Sequence, residues 1–168
     1  MQHDADMKKV HEELRYDGAT LEQVHEMLAD PTFREKVCGE LGVLRQTVRI
    51  DRDASGMTVT IDQVQPAKGV PGFAKKFVGD EINVIQSEDW TSPEKGNIHV
   101  AIPGKPGEMD GTAHLTQDPD GTTETVNMAV KVSVPLIGGK LEGFIADMLM
   151  HALRAEHRVG VEWLAGSH

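Results

Sequence analysis

Five polar side chains share their strand parity with apolar neighbours in alternating segments of the sequence. They are Glu12, Gln46, Gln63, Gln86 and Glu88. Burying such a group without a partner costs on the order of 1 to 3 kcal/mol. They therefore either line a wet or ligand-filled pocket, with Glu88 or Glu12 as an acid or base, or lie at strand ends in solvent. Glu12, in an edge strand, is expected to face solvent, whereas both interpretations stay open for Glu88, a weak catalytic candidate.

Metal and nucleophilic chemistry have little support in the sequence. His99 and His114 are predicted to lie diagonally across neighbouring strands, but their parity is outward, and no H-E-x-x-H occurs. Cys38 has no second thiol as a partner, and no G-x-S-x-G is present. The stretch GGKLEG lacks the first Gly and the Ser or Thr of a phosphate loop, so Lys140 and Glu142 are interpreted as a solvated first helical turn. We predict no metal and no cofactor.

Charge and hydropathy exclude two classes of partner. The formal net charge of −10 argues against nucleic acid, which is bound by clustered Lys and Arg. No apolar run approaches the roughly 20 residues that span a bilayer, so stable membrane insertion is not expected. The charged start MQHDADMKK is unlike a signal peptide, and the lone Cys38 fits a reducing compartment, so we expect a cytoplasmic protein.

Alternation and capping residues predict the elements that position these side chains. The predicted strands are 7–16, 44–51, 57–64, 82–90, 97–103, 108–116 and 123–134. Thr20 and Gln23 form a capping box before one helix, and Asp30-Pro31 begins a second that ends near Gly42. A short helical turn within 70–80, a candidate lid, presents Phe73 and Phe77.

The last segment predicts an amphipathic helix from Gly139 to about Leu164. Pro135 is expected to end the preceding strand because it cannot donate to the ladder. Gly138-Gly139 is expected to let the chain reverse before the helix lies across the sheet.

The element order β-α-α-β-β-β-β-β-β-α predicts an α+β fold. Short turns make the strands antiparallel, and the apolar face of the C-terminal helix is the surface that can cover their concave side. We therefore predict one domain over residues 7–165, in which a curved sheet of about seven strands wraps around the long helix. The termini 1–6 and 166–168 are expected to be flexible.

Several stretches strengthen this interpretation, namely PGFAKKFVG, EDW, IPGKPGEMDGT, VPLIGGKLE and EHRVGVEWL. With the element order, they resemble the helix-grip superfamily of START domains, polyketide cyclases and birch-pollen-allergen-like proteins. Within it, they resemble an actinobacterial family of uncharacterised function. The resemblance implies a deep cavity between the sheet and the long helix that holds an apolar small molecule. Methionines on apolar faces would suit a variable guest, although a filled core is the alternative.

The sequence thus favours binding or carriage of a lipid, isoprenoid or polyketide-like molecule. The predicted ligand-binding residues are Tyr16, Val48, Ile61, Phe77, Gln86, Glu88, Trp90, Met109, Met128, Phe144 and Met148. Gln86 or Glu88 would orient a polar end of the ligand. Two alternatives stay open: an enzyme resembling polyketide cyclases and aromatases, which is less expected, and a packed protein-interaction domain without a ligand. The oligomeric state is not indicated by any feature of the sequence.

Overall fold

A computed structural model describes residues 7–166 of the chain. The strands are β1 Lys8–Asp17, β2 Arg45–Asp53, β3 Gly56–Pro66, β4 Glu81–Ser92, β5 Lys95–Ala101, β6 Glu108–Asp118 and β7 Gly121–Lys131. The helices are α1 Leu21–Leu28, α2 Pro31–Leu41, α3 Gly72–Val78 and α4 Gly138–Leu164. Of the predicted flexible termini, residues 1–6 and 167–168 lie outside the described residues, whereas Gly166 lies in a turn.

The seven strands form one antiparallel sheet in the order β1-β7-β6-β5-β4-β3-β2. The predicted meander is confirmed, and β1 is added beside β7 with Val10 opposite Met128 and Leu14 opposite Glu124. The predicted inward parity holds along β3, where Met57, Val59 and Ile61 are buried and the residues between them are exposed. Side chains of alternate residues therefore form the concave apolar face of a curved sheet.

The first two helices begin at the predicted caps, and the second ends at the predicted glycine. Thr20 and Gln23 exchange the two hydrogen bonds of a capping box, at 3.1 and 2.8 Å. Asp30 accepts the Thr32 N–H at 2.9 Å, and Pro31 occupies the first helical position. The second helix, α2, ends at Gly42, whose φ of 72° is left-handed. The chain therefore makes two short helices between β1 and β2.

The long helix α4 packs mainly against β1 and α2, with smaller contacts to α1 and β7. Gly160 allows the close approach to β1, because a Cβ there would lie 2.8 Å from the Tyr16 ring. The packing leaves a space between α4, α2 and the strands on the other half of the sheet. Among residues 7–166, no helix has both the length and the apolar character needed to cross a bilayer.

The junction between β7 and α4 differs from its prediction. The strand ends at Lys131, four residues before Pro135, and the left-handed residue is Leu136 with a φ of 72°. Gly138 instead begins α4 and lies against the preceding chain, where an added Cβ would be 2.6 Å from the Val132 oxygen. The glycine is therefore required by a close backbone approach and not by a reversal.

Glu142 explains why the strand can end early. The prediction of a solvated first turn is wrong for this residue, which is only 6% exposed. Its Oε2 accepts the Val132 N–H at 2.8 Å, so a side chain of α4 replaces the next strand partner.

Replacing Glu142 with Ala should lower the free energy of unfolding by about 1 to 3 kcal/mol, because a buried N–H loses its partner. Glu142→Gln should lose less, since an amide oxygen still accepts. Asp147→Ala, at an exposed site of the same helix, is the matched control and should change little. Urea unfolding of the three variants provides the measurement, and equal losses for Glu142→Ala and Asp147→Ala would contradict the capping role.

Candidate functional site

A cavity of about 70 Å³ lies between the concave sheet, α2 and α4. Its wall consists mainly of apolar side chains, with four polar residues among them. The lining residues are Arg34, Val37, Cys38, Leu41, Ile61, Gln63, Gln86, Ile98, Val100, Val126, Met128, Leu149, Ala152, Leu153 and Glu156. This volume holds a few water molecules, which occupy on the order of 10 to 15 Å³ each by the same measure. A larger guest therefore requires the helical side of the cavity to move outward.

Helix α2 places one charged side chain on that wall. Arg34 shares a helical face with Val37, Cys38 and Leu41, at spacings of three, four and seven residues. It is only 3% exposed, and its Nε donates to the Leu28 carbonyl oxygen at 2.8 Å. The bond to the end of α1 fixes the base of the side chain and directs the guanidinium toward the sheet.

Arg34 forms a bidentate pair with Glu88 on β4. Its Nη1 and Nη2 donate to Glu88 Oε2 and Oε1 at 2.9 and 2.8 Å, and both side chains are 3% exposed. Glu88 also accepts from Trp90 Nε1 at 2.8 Å and from Gln86 Nε2. A buried ion pair is stable only if the remaining hydrogen-bonding groups of its side chains have partners. Trp90 and Gln86 are those partners for Glu88.

These contacts keep Glu88 ionised. Burial raises the pKa of the carboxyl, but the charge of Arg34 and the bonds from Arg34, Trp90 and Gln86 outweigh it and hold the pKa below its ordinary value. Glu88 is therefore engaged on both oxygens and carries no proton to donate. Glu88 is thus the buried ion-pair partner of Arg34.

Two further carboxyls lie beside this pair. Glu124 on β7 is 4% exposed, and Glu156 on α4 lines the cavity. Glu124 Oε1 and Glu156 Oε2 are buried, and apart from the bond that the two carboxyls make with each other, no hydrogen-bond donor among the described residues reaches either atom. Two buried carboxyls in contact cannot both ionise without a large repulsion, so one of them retains a proton.

The proton is held by Glu124. Its pKa is raised well above the ordinary value, first by burial, then by the negative charge of Glu156 and by the hydrogen bond to Glu156. The pKa of Glu156 is also raised by burial, while the bond from Glu124 and the charge of Arg34 oppose the shift. Glu124 therefore acts as the donor and Glu156 as the acceptor of a carboxyl pair at the cavity wall.

Tyr16 completes the polar cluster. Its side chain is 2% exposed, its ring lies 5.4 Å from that of His157, and its hydroxyl has no partner among residues 7–166. Burial and the negative charges of Glu156 and Glu124 raise its pKa well above the ordinary value. The hydroxyl thus stays protonated and can donate to an acceptor.

The structure brings together only part of the predicted binding set. Ile61, Gln86 and Met128 line the cavity. Glu88 and Trp90 lie behind its wall, in the hydrogen-bonded network of Arg34. The predicted inward parity of Gln63, Gln86 and Glu88 is therefore explained by a polar cavity wall and not by exposed strand ends.

The other predicted binding residues lie elsewhere. Tyr16 lines a separate depression beside Arg15 and His157, and Phe77 and Met109 lie at a narrow cleft near Ile145. Three more are half-buried and do not line the cavity: Val48, Phe144 and Met148. Phe144 and Met148 fall outside because α4 crosses the sheet close to β1, which places Leu149, Ala152 and Leu153 over the cavity.

The histidine pair is not formed. His99 lies opposite Asp110 and His114 opposite Lys95, so the predicted diagonal neighbourhood is wrong. Strands β5 and β6 pair in a different register from the one that would make the two histidines diagonal neighbours. In the observed register, His99 Nδ1 contacts Asp110 Oδ1 at 2.6 Å. Within residues 7–166, no three His, Cys, Asp or Glu side chains form a group suited to a metal ion.

Three residues of the polar cluster were missed by the sequence interpretation, although each has a detectable signal. Arg34 falls on the apolar face of α2. Glu124 has the inward parity of Val126 on β7, and Glu156 follows Ala152 and Leu153 at helical spacings of four and three. In each case a charged residue interrupts an apolar face. Such an interruption indicates a buried charge, which is rarely found without a partner.

Comparison with known proteins supports the fold. The family described as "Protein of unknown function (DUF2505)" matches residues 12–164. The uncharacterised protein Rv0481c of Mycobacterium tuberculosis (strain H37Rv) is 26% identical over 165 residues, which cover 90% of this chain and 94% of that protein.

Two solved structures share the architecture at low identity. The di-domain ARO/CYC StfQ from the steffimycin biosynthetic pathway matches with a TM-score of 0.68 and 13% identity over 98% of this chain and 55% of that one. The truncated norcoclaurine synthase of Thalictrum flavum matches with a TM-score of 0.61 and 13% identity over 96% and 95%. The predicted helix-grip fold is confirmed.

Arg34→Met should lower the free energy of unfolding by about 3 to 5 kcal/mol, because Glu88 would be left charged and unpaired in the interior. Adding Glu88→Leu to the Arg34→Met variant should restore part of the loss. Arg45→Met provides a matched control, since its pair with Glu81 is exposed and should contribute about 1 kcal/mol or less. Urea unfolding would contradict this account if Arg34→Met and Arg45→Met cost the same.

The carboxyl pair predicts an unusual pH dependence. Because the folded-state pKa of Glu124 is raised, its contribution to stability is present below the ordinary value of 4.5 and is lost as pH rises through the folded-state pKa. Glu124→Gln should therefore gain stability relative to the unmodified protein as pH is raised from about 5 to about 8. Thermal unfolding across this range measures the difference, and a constant difference would refute the shared proton.

Proposed function

The chain belongs to the DUF2505 family of helix-grip proteins, and we propose that it binds an apolar small molecule with a polar end in the cavity between the sheet, α2 and α4. An apolar cavity with a buried charged cluster at its inner wall supports this function. An alkyl or ring portion of the ligand would lie against Ile98, Val100 and Leu153. Its polar end would lie toward Arg34 and Glu156.

Burial of the ligand's apolar surface would supply most of the binding energy, at roughly 25 cal/mol per Å² removed from water. The polar wall would supply orientation, as expected of a pocket with few convergent polar groups. Arg34 retains two N–H groups beyond the three that Leu28 and Glu88 accept, since a guanidinium has five. These can donate to a carbonyl or hydroxyl oxygen.

Entry of the ligand requires movement of the helical wall. Val37 and Leu41 on α2, and Leu149 and Leu153 on α4, are half-buried where the two helices meet over the cavity. Separation of these four side chains enlarges the cavity toward the volume of ordinary small-molecule sites, about 300 to 1,000 Å³.

The enzyme alternative has one observation in its favour, the Glu156 carboxylate on the cavity wall. A base with a raised pKa beside an apolar guest could remove a proton from it. StfQ and norcoclaurine synthase support this alternative only by their shared fold, because a single fold carries many functions. Binding requires nothing beyond the cavity, so it is the function proposed.

Filling the cavity should abolish binding. In Ala152→Phe, the new ring would occupy the space beside Leu149 and Leu153, whereas His151→Phe places the same ring on the exposed side of α4. Native mass spectrometry, followed by organic extraction, would measure the retained guest after purification from cells. The unmodified protein and His151→Phe should carry a stoichiometric guest, and Ala152→Phe should not.

The binding proposal fails if Ala152→Phe retains the same guest as His151→Phe. It also fails if the unmodified protein carries no guest and acquires none from a panel of fatty alcohols, fatty amines and isoprenols. Circular dichroism of each variant establishes that a lost guest does not reflect a lost fold.

A further inference from the structure

The charged side chains at the cavity wall contain more hydrogen-bond acceptors than donors. The positive charge of Arg34 is matched by Glu88, to which it donates two bonds. Glu124 and Glu156 have no cationic partner within hydrogen-bonding distance among the described residues. With one proton shared between these two carboxyls, the four side chains of this charged cluster carry a net charge of −1.

An uncompensated charge in an apolar interior is costly, so the cluster favours any event that neutralises it. A second proton would do so, and so would a monovalent cation placed against the carboxyl pair. Apart from the proton that the two carboxyls share, no donor among the described residues reaches the buried atoms Glu124 Oε1 and Glu156 Oε2, so the pair keeps lone pairs that can accept an N–H group. Glu156 lines the cavity, so a ligand in the cavity can reach the pair.

We propose that the ligand's polar end is a protonated amine, held by Glu156 and Glu124 while its apolar part fills the cavity. This inference rests on the proposed binding function and names the class of ligand. Each N–H of an ammonium group can donate to one carboxyl oxygen, so a primary amine supplies donors for lone pairs of both carboxyls that the shared proton does not occupy. The bound amine also makes the cluster neutral.

Other polar ends fit the site less well. A carboxylate or phosphate would place negative charge beside two carboxyls, and the positive charge of Arg34 is already matched by that of Glu88. A divalent metal ion would need six or more oxygen ligands or a set of His and Cys, and residues 7–166 contain no such group. A neutral alcohol fits sterically but leaves the net charge in place.

The groups that face the carboxyl pair also determine how binding responds to pH. They are Arg34 from α2, Glu88 from β4, Tyr16 from β1 and His157 from α4 itself. His157 Nε2 contacts the Arg15 carbonyl oxygen at 2.8 Å, which makes it a hydrogen-bond donor there. Since the amine competes with the second proton of the pair, its affinity should rise with pH from about 5 to about 8.

Isothermal titration calorimetry with three probes of equal chain length tests the proposal: n-octylamine, 1-octanol and octanoate. Octylamine should bind at least about tenfold more tightly than octanol, as expected for hydrogen bonds to a charged group, and octanoate should bind most weakly. Glu156→Gln should remove the preference for the amine while octanol still binds. Glu162→Gln removes the same charge from an exposed site on α4 and should retain the preference.

The outcomes separate the two proposals. Equal or tighter binding of octanol or octanoate by the unmodified protein overturns the amine assignment and leaves the cavity as a ligand site. Retention of the preference in both Glu156→Gln and Glu124→Gln also overturns it. Absence of binding for all three probes overturns both the amine assignment and the proposed function. Thermal unfolding of each variant verifies that the fold is intact, and the isosteric Gln can still bond the remaining carboxyl.

Discussion

The bidentate bond between Arg34 and Glu88 is the interaction on which the arrangement of the site depends. It joins α2 to β4 across the interior, and through Leu28 it also ties the end of α1 to the same point. Because a guanidinium and a carboxylate of fixed length separate the helix from the sheet, α2 cannot collapse onto β4. The space beside this charged pair is the cavity, so one ionic interaction both maintains the opening and supplies its polar wall.

Keeping this pair in the interior has electrostatic consequences for its neighbours. The negative charges that Glu124 and Glu156 would carry next to Glu88 are only partly offset by Arg34, and burial raises the pKa of both carboxyls. Glu124 therefore retains a proton. A buried ion pair is often no more stable than apolar residues of similar volume, so such a cluster is weak evidence for a role in stability alone. Its location on a cavity wall is what favours recognition of a ligand.

The strand alternation, the two capped helices and the long helix could be predicted because each depends on local signals. The seven strands alternate with period two, and Thr20, Gln23 and Asp30 act on backbone groups within three residues. The site depends on long-range contacts, such as that between Arg34 and Glu88, which lie 54 residues apart. No local sequence pattern specifies which inward-facing charged residue pairs with which other one. The partner of Glu142 could not be predicted either, because Val132 lies in a segment that the sequence predicts to be strand. Interruptions of apolar faces at Arg34, Glu124 and Glu156 were the available clue, and they identify residues without identifying partners.

Carbon-13 NMR titration of the glutamate side-chain carboxyls would test whether this charged cluster exists. Signals of Glu88, Glu124 and Glu156 can be assigned by substituting each with Gln in turn. We expect Glu88 to remain ionised at pH values below the ordinary glutamate pKa and Glu124 to hold its proton well above that pKa. Removing Glu156 should lower the pKa of Glu124. Titration of all three carboxyls near the ordinary glutamate value, with no response of Glu124 to the loss of Glu156, would contradict the charged cluster on which the site is built.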